Sequence, residues 1–267
     1  MHTREEKMEA FGRLLDVLDE LRVKCPWDRK QTNESLRPNT IEETYELCDA
    51  LMRGDQKDIC KELGDVLLHV CFYAKIGSEK EAFDIADVCH QLCEKLIFRH
   101  PHVFPPADSH DASHVTTAQQ VSEQWEQIKQ KEKDGNKTVL AGVPAALPTL
   151  IKAYRVQDKA RNVGFDWEER EQVWDKVKEE ISEFEAEVAH MDKERAEGEL
   201  GDVLFSLINA ARLYKINPDN ALERTTQKFI RRFNYLEAHT LKAGRPLTDM
   251  TLAEMDEIWN EAKAKGL

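Results

Sequence analysis

The chain has 267 residues, 41% of them hydrophobic, enough for two packed domains. A formal net charge of -13 without a long basic run argues against a nucleic-acid partner, and no apolar run approaches the roughly 20 residues of a membrane span. Charged residues make up 33%, and only 11 glycines and 9 prolines punctuate the sequence, which favours long solvated helices over many short strands.

In chain order, His2–Glu9 is polar and shows no basic-then-apolar secretory pattern, so a cytoplasmic location is expected. Cys25, Cys48, Cys60, Cys71, Cys89 and Cys93 all lie in the first copy of the repeat described below, and the expectation for a cytosolic protein is free buried thiols. Cys89-His90 and Cys93, with His100 and His102, lack the paired Cys-x-x-Cys spacing of a zinc site. Ile41, Tyr45, Cys48 and Met52 form one helical stripe, and Ile59, Leu63, Val66, Leu67 and Val70 a second. Ser78 with Glu81 reads as a capping box. Pro105–His114 reads as a loop, and the helix breakers in Lys133–Pro148 as a join. Beyond it come stripes at Val177, Ile181, Phe184, Val188 and at Leu200, Val203, Leu204, Leu207. Asn217-Pro218 and Thr251 with Glu254 read as helix starts.

The chain repeats itself. Glu42-Glu43-Thr44-Tyr45-Glu46 matches Glu179-Glu180-Ile181-Ser182-Glu183, and Glu-Leu-Gly-Asp-Val-Leu occurs at both Glu62–Leu67 and Glu199–Leu204, at the same interval after the first motif. Trp27-Asp28 pairs with Phe165-Asp166, Lys95 and Arg99 with Lys228 and Arg232, and Trp125 and Lys129 with Trp259 and Lys263. This order points to a duplication of roughly 120 residues. The expected fold class is all-α, two tandem helical bundles of about four or five helices each. The expected boundaries are 1–133 for the first domain, 134–148 for a linker and 149–267 for the second.

Residues three apart share a helix face. Glu180 with Glu183, and Glu199 with Asp202, therefore form two carboxylate pairs on helices joined by a short link near Met191-Asp192. Antiparallel packing would face all four across a groove, with Glu43, Glu46, Glu62 and Asp65 as the equivalent set in the first copy. Crowded carboxylates repel, and a divalent cation relieves that. All-oxygen ligands suit magnesium, manganese or calcium, while the missing Glu-x-x-His sets a di-iron centre aside. A lone Glu-x-x-Glu is ordinarily solvated surface; two pairs at fixed spacing, twice over, are not. Gly64 and Gly201 sit inside these helices at a cost of roughly 1 kcal/mol each relative to Ala, which suggests close helix or ligand approach. Lys228 and Arg232 share a face fit to clamp phosphate, and Trp259 with Lys263 could stack on a base and meet phosphate.

These residues resemble the MazG family: Cys25-Pro26-Trp27-Asp28 with Gln31-Thr32, the two acidic motifs, Arg99–Phe104, and Asn162–Trp167 opening the second half. The resemblance spans nearly the whole chain. It implies an all-α nucleotide pyrophosphohydrolase fold, a homodimer, and magnesium-dependent hydrolysis of nucleoside triphosphates to monophosphates and pyrophosphate. It assigns Glu180, Glu183, Glu199 and Asp202 to magnesium (manganese possible), and Lys176, Arg195, Lys228, Arg232, Trp259 and Lys263 to the nucleotide. The second copy is the expected catalytic one, and Glu179 or Glu183 is the expected general base. Apart from Trp259 no polar set stands poised to read a base edge, so broad base tolerance is expected. The alternatives are a non-catalytic nucleotide-binding or partner-binding helical protein, and a pyrophosphohydrolase restricted to one nucleotide such as dUTP.

Overall fold

The computed structural model describes residues 1–105, 117, 120, 121, 124, 125, 128, 138–242 and 244–267. Among them it is all-α, without a strand. The helices are α1 (Arg4–Lys24), α2 (Asn33–Arg53), α3 (Gln56–Glu79), α4 (Ile85–Arg99), α5 (Thr149–Arg161), α6 (Val173–Ala189), α7 (Lys193–Leu213), α8 (Pro218–Lys242) and α9 (Leu252–Ala264). Short 3₁₀ turns cover Asp28–Lys30, Arg170–Gln172 and Leu247–Asp249. The chain divides into two compact units, Met1–Thr116 and Thr117–Leu267, each carrying one pair of the acidic motifs. Of the expected linker, 134–137 fall outside the described residues and 138–148 run through turns and bends; 106–114 of the expected loop and Lys129 also lie outside them.

Each unit is organised on a helical hairpin, α2–α3 or α6–α7, that presents the acidic motifs. The two hairpins turn alike. In the first, Gly54 ends α2 at φ 74° and the Asp55 carboxylate caps α3, accepting from the Lys57 amide at 2.9 Å. In the second, Met191 takes the left-handed position at φ 58° and Asp192 caps α7, accepting from the Arg195 amide at 3.1 Å. A side-chain acceptor here satisfies an amide that has no partner within the helix.

Thr251 and Glu254 form the expected capping box of α9, and Asn217 caps the Asn220 amide at 2.9 Å ahead of Pro218. Ser78 does not start a helix. It lies in the last turn of α3, and α4 begins at an Asp84–Asp87 capping box instead. Gly77 ends that turn against Phe83, which a Cβ would strike at 2.8 Å. All six cysteines are free, as expected, but their burial is corrected: Cys71 is buried, while Cys48, Cys60, Cys89 and Cys93 are exposed in the single chain. Nor does close helix packing within the chain account for Gly64 and Gly201, where a Cβ would meet nothing within 4 Å.

The two cores differ in bulk. In the first unit Leu18, Leu36, Cys71, Phe72 and Ile76 are buried together, flanked by Phe11, Leu14, Leu15, Leu68 and Tyr73. The second unit gathers Val173, Val177 and Ala210, with Leu213 beside them. Parts of the predicted apolar stripes remain uncovered in the single chain, among them Leu63, Leu67 and Val70 on α3 and Leu200, Leu204 and Leu207 on α7. Among the described residues no helix is long and apolar enough to cross a membrane.

Candidate functional site

The hairpin of the second unit brings carboxylates together from both arms. Glu180 of α6 is buried, and it converges with Glu199 and Asp202 of α7 so that one oxygen of each lies within 4.8 Å of the others. In the first unit the same criterion unites Glu43 and Glu46 of α2 with Glu62 of α3. Each triad thus takes three of the four expected positions, leaving out Glu183 in one and Asp65 in the other. Both stay within electrostatic reach. Desolvation, then Glu180, Glu199 and Glu179, push the Glu183 carboxyl above the ordinary range. Desolvation, then Asp65, Glu46 and Glu62, raise that of Glu43.

An oxygen-preferring divalent cation fits such a donor set, because three carboxylates at this separation otherwise repel at close quarters. The first unit adds an orphan: Glu62 Oε1 accepts from Lys61 Nζ at 2.8 Å, while its buried Oε2 has no hydrogen-bond partner.

The basic groups are not gathered in one place. Lys176, one turn before Glu180, sits 2.7 Å from Glu180 Oε1 and 3.0 Å from Glu179 Oε1, and these bonds raise its pKa. Arg195 is largely exposed at the start of α7, 3.4 Å from Asp192. On α8 and α9, the Arg232 guanidinium lies over the Trp259 ring at 5.9 Å, and Trp259 meets Phe229 at 5.1 Å between ring centroids. Arg232 Nε also donates to the Leu267 carbonyl at 2.7 Å. Lys228 and Lys263 are exposed.

Beside the second triad opens a cavity of about 780 Å³. Lys176, Glu180 and Asp202 stand on its wall, which continues past Val173, Phe205 and Ser206 to Asn209 and Arg212. Gln157, Phe165, Asp166 and Trp167 line it as well, whereas Arg195, Lys228, Arg232, Trp259 and Lys263 do not. Most of its polar groups are already engaged. Arg212, nearly buried, donates from Nη1 to Asp166 Oδ2 at 3.0 Å, from Nη2 to Asp166 Oδ1, and from Nε and Nη2 to Asn209 Oδ1 at 3.1 and 2.8 Å. The Ser206 hydroxyl donates to the Val203 carbonyl at 2.9 Å.

Gln157, Asn209 and Arg212 lie outside the motifs read from the sequence, and Trp167 enters there only as the last residue of the Asn162–Trp167 motif, without a role. A signal for Asn209 exists in the repeat register. Counting equally from the two Glu-Leu-Gly-Asp motifs, Asn209 occupies the place of Phe72, and Ala210 that of Tyr73. Phe72 is 2% exposed and fills the first core, and Tyr73 and His69 bond Thr40 Oγ1 at 2.6 and 2.9 Å. Smaller or polar residues at the matching places in the second copy leave room.

The MazG nucleotide pyrophosphohydrolase domain model matches residues 31–104 and 168–236, one segment in each copy. The chain belongs to the MazG family. Both matched segments of this MazG chain contain the acidic hairpin. The nucleoside triphosphate pyrophosphohydrolase of Escherichia coli K12 is 39% identical over 263 residues, covering 96% of this chain and 98% of that one. The nucleoside triphosphate pyrophosphohydrolase/pyrophosphatase MazG of Thermotoga maritima is 41% identical over 256 residues, covering 95% of each. YabN of Bacillus subtilis, an uncharacterized protein, is 44% identical over 97% of this chain and 53% of its own length.

Proposed function

We propose that the chain hydrolyses nucleoside triphosphates, ribo and deoxy, to monophosphates and pyrophosphate, with the second unit as the catalytic one. The observation that carries this reading is the Glu180, Glu199, Asp202 triad, of which Glu180 and Asp202 line an open cavity, in a chain of the MazG family. Glu180, Glu199 and Asp202 would hold magnesium, with manganese as a substitute. When bound, the metal neutralises charge on phosphate oxygens and helps position water for attack at the α-phosphorus. Lys176 is placed to exchange its carboxylate partners for a phosphate oxygen. Glu183 lies outside the triad and is not tied up as Glu179 is by Lys176, so it is the better-placed acceptor for the proton of the attacking water.

The wall of the cavity supports broad base tolerance. The Asp166–Arg212–Asn209 group and Ser206 are largely bonded internally, leaving few polar groups to read a base. The uncovered apolar faces of α3 and α7 support a homodimer, since stripes of this kind are normally covered. The acidic charge supports free nucleotides, in the cytoplasm, as partners in preference to nucleic acid or membrane.

The deciding experiment is pyrophosphate release from ATP, GTP, CTP, UTP and their deoxy forms, with magnesium and with chelator. Metal-dependent turnover within about tenfold in kcat/KM across the panel fits few reading groups. A thousandfold preference for one base would replace the broad reading with a single-substrate enzyme, and binding without turnover would make the chain a nucleotide sensor. Sedimentation at micromolar concentration should give twice the 30.8 kDa of one chain.

A further inference from the structure

We infer that the cavity beside Glu180 and Asp202 is a nucleobase pocket in which Gln157 accepts a hydrogen bond from the exocyclic amino group of adenine or cytosine. This deepens the reading of the substrate as a nucleoside triphosphate and rests on it.

Gln157 projects from α5 onto the cavity wall and is 7% exposed. Its Nε2 donates to the Phe205 carbonyl of α7 at 2.8 Å. A carbonyl can only accept, so this bond settles which end of the amide faces which way: the NH₂ group is spent on α7 and the oxygen is left over. That oxygen, Oε1, is buried with no hydrogen-bond partner. Buried acceptors of this kind are rare because the lost hydration is uncompensated, and one on a residue that lines a cavity points to a ligand that brings the donor.

Its surroundings suit a base better than a phosphate. Val173 and Phe205 make the nearby wall apolar, and Trp167 offers a ring for stacking. The cation of the wall, Arg212, is held by Asp166 and Asn209 and so is not free to pair with an anion. Asn209 accepts from Arg212 through Oδ1, which leaves its NH₂ as a neutral donor on a residue of the same wall. Glu180, Asp202 and Lys176 lie on the same cavity, where the phosphates of a nucleotide held by its base would be needed.

A neutral acceptor welcomes an amino group. Uracil, thymine and guanine carry an oxygen at the corresponding edge position, which would meet Gln157 Oε1 lone pair to lone pair. One neutral hydrogen bond supports a bias of roughly three- to tenfold, which tilts a tolerant site without closing it.

The test is calorimetric binding of AMP and of purine riboside 5′-monophosphate, which lacks only the amino group, to the full-length wild type and to Gln157→Leu. The wild type should bind AMP roughly three- to tenfold more tightly, and Gln157→Leu should bind the two alike. Equal affinities in the wild type, a ratio unchanged in a folded Gln157→Leu, or no binding of either at millimolar concentration each overturn the inference. Should Gln157→Leu not fold, the wild-type ratio alone, repeated with CMP against UMP, decides. Because the readout is binding, missing ATP turnover would count against the proposed activity and not against the pocket.

Discussion

Lys176 Nζ lies 2.7 Å from Glu180 Oε1, so the carboxylate most deeply placed in the second triad is already paired with a cation one helical turn away. Counting back from the acidic motif, the first copy has Asn39 at this place and lacks the charge. In the proposed function Lys176 would hold the acidic site together until a substrate arrives, and would then have an ammonium to offer its phosphates. Lys176→Met should raise KM for ATP by about tenfold or more, the worth of one charge-assisted hydrogen bond. Steady-state kinetics at saturating magnesium would show it, and an unchanged KM would place the phosphates elsewhere.

The two copies should not be equal. Glu180→Gln removes a charged donor at the cavity wall and should abolish pyrophosphate release with the helical spectrum intact. Glu43→Gln alters a triad whose neighbouring core is filled by Phe72, and its effect on turnover should be mild. The reverse pattern would move catalysis to the first unit.

Arg212 is nearly buried and depends on Asp166 for its countercharge. Asp166→Ala leaves the guanidinium with Asn209 alone. The expected loss is about 3 kcal/mol, toward the lower end for breaking a buried pair because that one acceptor remains. Urea unfolding of wild type and variant measures it.

Met191 holds a left-handed conformation at φ 58° in a turn where the first copy uses Gly54, and its side chain is 90% exposed. Met191→Gly relieves the steric penalty and forfeits no packing. A gain of about 0.5–1 kcal/mol is expected after the added freedom of the unfolded chain is counted. A loss of stability would mean that this turn is covered in the assembled protein.

Arg245 and the cap at Thr251 hold the Glu254 carboxyl down at about 2, against an ordinary value of 4.5. A depressed folded pKa gives stability that is fully present above the unfolded value and is lost as pH falls toward the folded one. The Tm difference between wild type and Glu254→Gln should thus be steady above about pH 5 and fall away as pH drops toward and below about 2. A difference undiminished at pH 2 would trace to packing and not to charge.

The amino-acid sequence by itself determined the helices, the duplication and the acidic hairpins, because each is written in local terms: apolar period, capping residues and two motifs at a repeated interval. Family membership was legible for the same reason. Tertiary structure decided which oxygens meet, since a pair three apart on one helix leaves open whether both members reach across to the next; Glu183 and Asp65 do not join their triads. It also decided that Trp259 and Arg232 pack on each other while the cavity opens by Gln157, Asn209 and Trp167. A cavity is the volume that side chains from separate helices fail to fill. Asn209 in place of Phe72 hints at it, but the orphaned oxygen of Gln157 exists only once α5 lies against the Phe205 carbonyl of α7.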